Sequence, residues 1–129
     1  MKKFVSFFKR NPNLTREQFR QYYEESHARL FDAYLTHPGV ERYVRRYLSP
    51  ATDSISGVVR EADFDVVMEV WLSDANFYQT YNQAFKDLVK ADEEKLFSRD
   101  HMYFHTVEEV DTDLAELRRN HQPVMPPVS

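Results

Sequence analysis

The order of periodicities along this chain restricts its fold more than any single residue does. Runs of aromatic and β-branched residues alternate with helical stripes as strand, helix, strand, and the series then repeats. Residues 4–9 form a short apolar run that stops at Asn11-Pro12-Asn13, which predicts a first strand and a turn. Thr15 followed by Gln18 has the spacing of a capping box, so a helix is expected to start there. Phe19, Tyr23, His27, Leu30 and Tyr34 carry its inward stripe to about residue 35, where His37-Pro38-Gly39 breaks it. Residues 40–48 read as strand two, 49–62 as a long polar loop, and 64–72 as strand three. Ser73 or Asp74 is expected to cap a second helix with Phe77, Tyr81, Phe85 and Leu88 inward. Residues 92–97 read as a last turn or short helix, and 101–107 as strand four.

That order specifies an α+β fold, the ferredoxin-like βαββαβ arrangement with a four-stranded antiparallel sheet. Residues 1–110 are expected to form this domain. Residues 111–129 follow as a short charged helix near 113–119 and a Pro-rich, extended tail at 122–129. Two helices cover one face of such a sheet. Strands one and three carry apolar residues at both parities, so the second face also needs cover, and a homodimer closing sheet on sheet supplies it.

Composition removes several classes of function. The chain has two glycines and neither GxGxxG nor GxxxxGK, which argues against a phosphate-cradling loop. A net charge of -4 disfavours nucleic acid. The lack of cysteine excludes disulfides, thiolate nucleophiles and Cys-ligated zinc. The first apolar run is too short for a signal peptide and no stretch approaches a membrane span, so a soluble, cytoplasmic protein without membrane contact is expected.

Several motifs, in order, resemble the EthD-like proteins of the dimeric α+β barrel superfamily. They are Phe8-Lys9-Arg10 closing strand one, Leu14 to Phe19, and Glu24-Glu25-Ser26-His27-Ala28-Arg29-Leu30, where Arg29 stands in place of the family's usual proline. Pro38 to Tyr43, Phe64 to Trp71, Asp92 to Phe97 and Val107-Glu108-Glu109 continue the series. The resemblance implies a dimeric α+β barrel with a ligand cavity between sheet and helices in each subunit. It also implies lyase or isomerase activity on aromatic polyketides or lactones, with His27 and Tyr43 at the positions of a helix histidine and a strand tyrosine used by an isomerase of the superfamily.

The residues support that chemistry in part. A cofactor-free lyase or isomerase needs a proton acceptor, a proton donor and a dry pocket. His27 titrates near neutrality and sits on the inward stripe, either as a hydrogen-bonded core histidine or as the general acid–base. Tyr43 either donates to a substrate oxygen or packs at the dimer face. Glu69 orients His27 or takes a proton, or pairs with an arginine. Asp65 is expected in a salt bridge to Arg42, Arg45 or Arg46, or at the substrate. Tyr23, Trp71, Phe97 and His101 are candidate pocket walls, and His105 a rim residue. His101 and His105 alternate with Tyr103 along a strand, about 13 Å apart, too far to share a metal. No metal, haem or other cofactor is therefore expected. The expected partner is a small hydrophobic or aromatic molecule. A non-catalytic binding module for a hydrophobic metabolite is the competing reading, and a purely structural oligomerisation domain the third.

Overall fold

The computed structural model describes residues 1–74 and 76–127. Ala75, inside the expected second helix, and the last two residues of the expected tail lie outside them. Strand β1 (Lys2–Arg10) is followed by a helical rod in four parts. The rod comprises α1 (Arg16–Tyr22), a π turn (Tyr23–His27), a 3-10 turn (Ala28–Phe31) and α2 (Asp32–Leu35). Strands β2 (Val40–Tyr47) and β3 (Val66–Leu72) come next. A 3-10 turn (Phe77–Thr80), helix α3 (Gln83–Leu96), strand β4 (Phe97–Thr106) and helix α4 (Leu114–Asn120) complete the chain. The sheet is antiparallel in the order β2-β3-β1-β4, which is the ferredoxin-like topology.

The rod starts as the capping box predicts. Thr15 Oγ1 accepts from the Gln18 N–H at 3.1 Å, and the Gln18 side chain accepts from the Thr15 N–H at 2.9 Å. The second helix starts elsewhere than expected. Asn82, not Ser73 or Asp74, caps α3 by accepting from the Phe85 N–H at 2.8 Å. Phe77 lies in the 3-10 turn, and Tyr81 has an extended backbone that separates the turn from α3. Leu88 faces outward. α3 then runs through Leu96, so residues 92–97 are its last turn joined to the start of β4.

Even-numbered residues of β1 and β3 face the helices. Phe8, Val66, Leu96 and Phe97 enclose one core with Phe19, Tyr23 and Ala28; Val70, Leu72 and Phe77 form a second. Odd-numbered residues form the opposite, open face. There Phe7 packs on Phe64 and His105, and Phe64 on Tyr103, with ring centroids 5.5–5.7 Å apart. Trp71 lies on this face beneath Lys3 and Arg42, at 4.0 and 4.9 Å from its ring.

The turn between rod and β2 is tight for a packing reason. A Cβ on Gly39 would lie 2.7 Å from the Asp74 Cβ and 3.0 Å from the His37 Nδ1. His37 Nδ1 itself accepts from the Gly39 N–H at 2.9 Å.

Candidate functional site

The site is built around the π turn. The Ala28 N–H bonds back to the Tyr23 carbonyl, five residues away, and widens the rod where His27 sits. In a regular α-helix positions four apart drift by 40° per step. The wider turn offsets that drift, and Phe19, Tyr23 and His27 all end buried on one side.

His27 is 3% exposed. Its imidazole meets the rings of Tyr23, Phe31 and Phe97 edge-on at 5.4–5.6 Å. Phe97 in turn stacks on Phe8 at 4.3 Å. Nδ1 lies 2.7 Å from Asp92 Oδ2. Asp92 Oδ1 accepts from the Tyr22 hydroxyl. A carboxylate accepts and does not donate, so the Nδ1 atom carries the proton and Nε2 is left with its lone pair. Nε2 has no hydrogen-bond partner among the described residues, and none of their buried polar atoms is sealed off unpaired. It therefore keeps some accessible surface.

Burial lowers the His27 pKa from its ordinary 6.5; Asp92, through hydrogen bond and charge, opposes the shift without cancelling it. The neutral imidazole is thereby favoured near pH 7. Tyr22 is pushed up to about 12, first by its hydrogen bond to Asp92 and then by burial and the charge of the same carboxylate.

A second polar group lies beyond Tyr23. Tyr43, Arg45 and Tyr47 pair with Val70, Met68 and Val66 and so share the helix-facing side of the sheet. Arg45 grips Glu24 of the π turn with two nitrogens, Nη2 to Oε1 being 2.8 Å, and the Tyr47 hydroxyl donates to the same carboxylate. This holds the Glu24 carboxyl down at about 2, with the Arg45 hydrogen bond as the largest cause. The Arg45 guanidinium lies over the Tyr43 ring, 4.9 Å from its centroid. Burial raises the Tyr23 and Tyr43 phenols, and they stay protonated donors at neutral pH.

The structure brings His27, Tyr23 and Phe97 together, with Tyr43 one ring further. It sends the other candidates elsewhere. Glu69 and Trp71 have the wrong strand parity and stand on the open face, where Glu69 pairs with Arg46 and is lowered by it. Neither reaches His27 within one subunit, because the sheet lies between. Asp65 forms a salt bridge, but with other arginines than expected. It accepts from the Arg10 N–H at 2.8 Å and Arg10 Nε at 3.3 Å, with Arg16 Nε at 3.9 Å. Asp65 borders a cavity of about 190 Å³ with Phe19, Arg20 and Tyr47. His27 does not line that cavity, and the Tyr23 ring meets both Phe19 and His27. His101 lies midway along β4, its Nδ1 2.9 Å from Ser98 Oγ. Among the described residues no three His, Asp or Glu side chains converge as a metal site, and no helix is long and apolar enough to cross a membrane.

Asp92, Glu24 and Arg45 were not singled out in the sequence. Asp92 had a signal. Phe85, Asp92 and Leu96 are spaced by seven and four, which is one helical face once the helix is read through to residue 96. Glu24 and Arg45 had none, because their pairing spans rod and sheet.

The family model described as EthD domain matches residues 11–100. No curated protein matches the sequence. Among solved structures, an EthD family protein from Bacillus halodurans superposes with a TM-score of 0.57 at 20% identity, covering 85% of this chain and 100% of that one. SnoaB of Streptomyces nogalater, a cofactor-independent oxygenase, gives 0.54 at 14% identity over 87% of this chain and 95% of its own. HapK from Hahella chejuensis gives 0.54 at 12% with the same coverages.

Proposed function

The chain belongs to the EthD domain family, and we propose that it is a homodimeric enzyme moving a proton on a small aromatic, polyketide-like or lactone compound. The reaction is a cofactor-independent dehydration, decarboxylation or rearrangement. The observation that carries this is the His27–Asp92 pair, with Nδ1 held by the carboxylate and Nε2 unbonded among the described residues. His27 is the general base and then the acid. Asp92 fixes the ring and its tautomer, and Tyr22 fixes Asp92. Asp92 thus takes the orienting role first expected of Glu69. Tyr43, whose phenol burial keeps protonated, is the candidate donor to a developing enolate or phenolate. Tyr23 and Phe97 supply the apolar walls. SnoaB, too, works without a cofactor, and a neutral base in an aromatic surround suits such chemistry.

The dimer follows from the open face. Phe7, Phe64 and Trp71 are only partly buried and Tyr103 is exposed, and a second sheet would bury them. A dimer that covers this face suits a soluble, cytoplasmic protein.

The test is exchange of substrate C–H for deuterium in D2O, followed by NMR over a panel of phenolic, polyketide-like and lactone compounds. Wild type is expected to exchange at least one compound, and His27→Ala to lose that exchange while keeping its sedimentation behaviour. Full exchange in His27→Ala would remove His27 from the chemistry. The near-complete burial of His27 favours a second reading, a binding module for a hydrophobic metabolite. Saturable binding without exchange in wild type would establish that reading instead.

A further inference from the structure

The C-terminal segment carries several apolar residues and buries none of them. α4 buries no residue, and Val110, Leu114, Leu117, Val124 and Met125 are all exposed, Val110 to 90%. Within α4, Leu114 and Leu117 lie three apart on one helical face. Asp113 caps α4 by accepting from the Glu116 N–H at 3.0 Å. A cap does not hold up seven residues alone, since isolated helices below about 12 residues are marginal in water. α4 therefore needs a surface, and its own subunit offers none. The segment also lies beyond the stretch matched by the family model.

Its root says where it goes. The Val107 N–H bonds to the Lys3 carbonyl at 3.0 Å, and Lys3 Nζ lies 2.9 Å from Glu109 Oε1. Lys3 stands over Trp71 on the open sheet face, so the segment departs from that face. Residues 107–113 can span about 20 Å when extended. The four strands are only about 14 Å from first to last.

Charge adds a direction. Beyond Glu109, which is paired with Lys3, Asp111, Asp113 and Glu116 carry three acidic groups ahead of Arg118 and Arg119. On the open face Lys3 is already paired with Glu109 and Arg46 with Glu69. Arg42 rests on Trp71 and has no carboxylate partner among the described residues.

We propose that residues 110–127 are an arm that leaves its own subunit and docks on a second copy of this chain. Its acidic stretch lies along the second copy's Arg42, and the Leu114–Leu117 stripe is buried beside it. This rests on the homodimer of the preceding section. It adds that each subunit straps the other.

The cysteine-free chain makes a clean test possible. Arg42→Cys and Asp113→Cys are made separately, mixed and oxidised gently, and the products are weighed without reductant. The expected product is a disulfide-linked pair containing one of each variant, well above the yield from either variant alone. A second variant, Leu114→Asp with Leu117→Asp in the full chain, is expected to raise the dimer dissociation constant at least tenfold in sedimentation equilibrium. A dimer that neither cross-links at these positions nor weakens in the second variant overturns the arm and leaves the sheet-face dimer standing. A wild-type chain that is monomeric up to 100 µM, a concentration of about 10⁻⁴ M at which even weak specific pairs associate, overturns the dimer and the arm together.

Discussion

The His27 imidazole gives up the water that would solvate its cation, and the Asp92 carboxylate returns only part of that loss. Its proton should therefore titrate below 6.5, with Nε2 bare at neutral pH. A long-range ¹⁵N–¹H spectrum reads both, and a protonated Nε2 at pH 7.5 would contradict the assignment. Asp92→Asn removes the charge that holds the pKa up and leaves the burial, so His27 should titrate lower still in that variant. Losing Asp92 altogether, as Asp92→Ala, strands two donors, Tyr22 and His27. Such a buried loss costs about 1–3 kcal/mol, measurable by urea denaturation. Tyr22 gives an independent signal, since its phenol should ionise near pH 12 and lose that late titration in Asp92→Asn. Absorbance at 295 nm follows it. At this scale His27 was legible in the sequence because its stripe has helical spacing. Its partner was not, because Asp92 is 65 residues away and only packing brings α3 against the π turn.

Elements are held by their ends. Thr15→Ala and Asn82→Ala each remove a cap and should each cost about 1 kcal/mol in a thermal or chemical melt. Ser73→Ala should leave α3 intact, since Ser73 caps nothing; equal losses at Ser73 and Asn82 would contradict the observed start. Gly39→Ala should destabilise through contact with Asp74, not through backbone angles, and so should be relieved by Asp74→Gly. The first helix announced its start because Thr15 and Gln18 satisfy each other locally. The second misled because Phe77, Tyr81 and Phe85 recur every four residues, as they would in a helix. Their aromatic contacts hold instead across a 3-10 turn and an extended Tyr81.

For the whole molecule the ionisable groups shape stability against pH. Glu24 has its folded pKa lowered from 4.5 to about 2, and His27 is lowered from 6.5. Both bind protons more readily when unfolded, so their contributions are present above their ordinary values and lost as pH falls through the folded ones. Stability should begin to fall below about pH 6.5 and fall further between 4.5 and 2. Tyr22, raised from 10.0 to about 12, adds a loss on the alkaline side as pH rises above 10. Melting temperatures from pH 3 to 11 would show this dome, and a flat acid limb in wild type would contradict it. Phe7→Asp on the open face should leave the fold and abolish the dimer, as judged by light scattering.

Strand order, the capped first helix, an inward histidine and a sheet apolar on both faces were all present in local periodicity, because alternation and helical spacing are properties of neighbouring residues. The strand parity that places Glu69 and Trp71 on the open face was readable too, once the side of His27 was known. The π turn, the Asp92 and Tyr22 partners, the Arg45–Glu24 clasp and the true start of α3 were not. Each depends on a hydrogen bond or a ring contact between segments far apart in sequence, and such contacts exist only after sheet and helices have closed on one another.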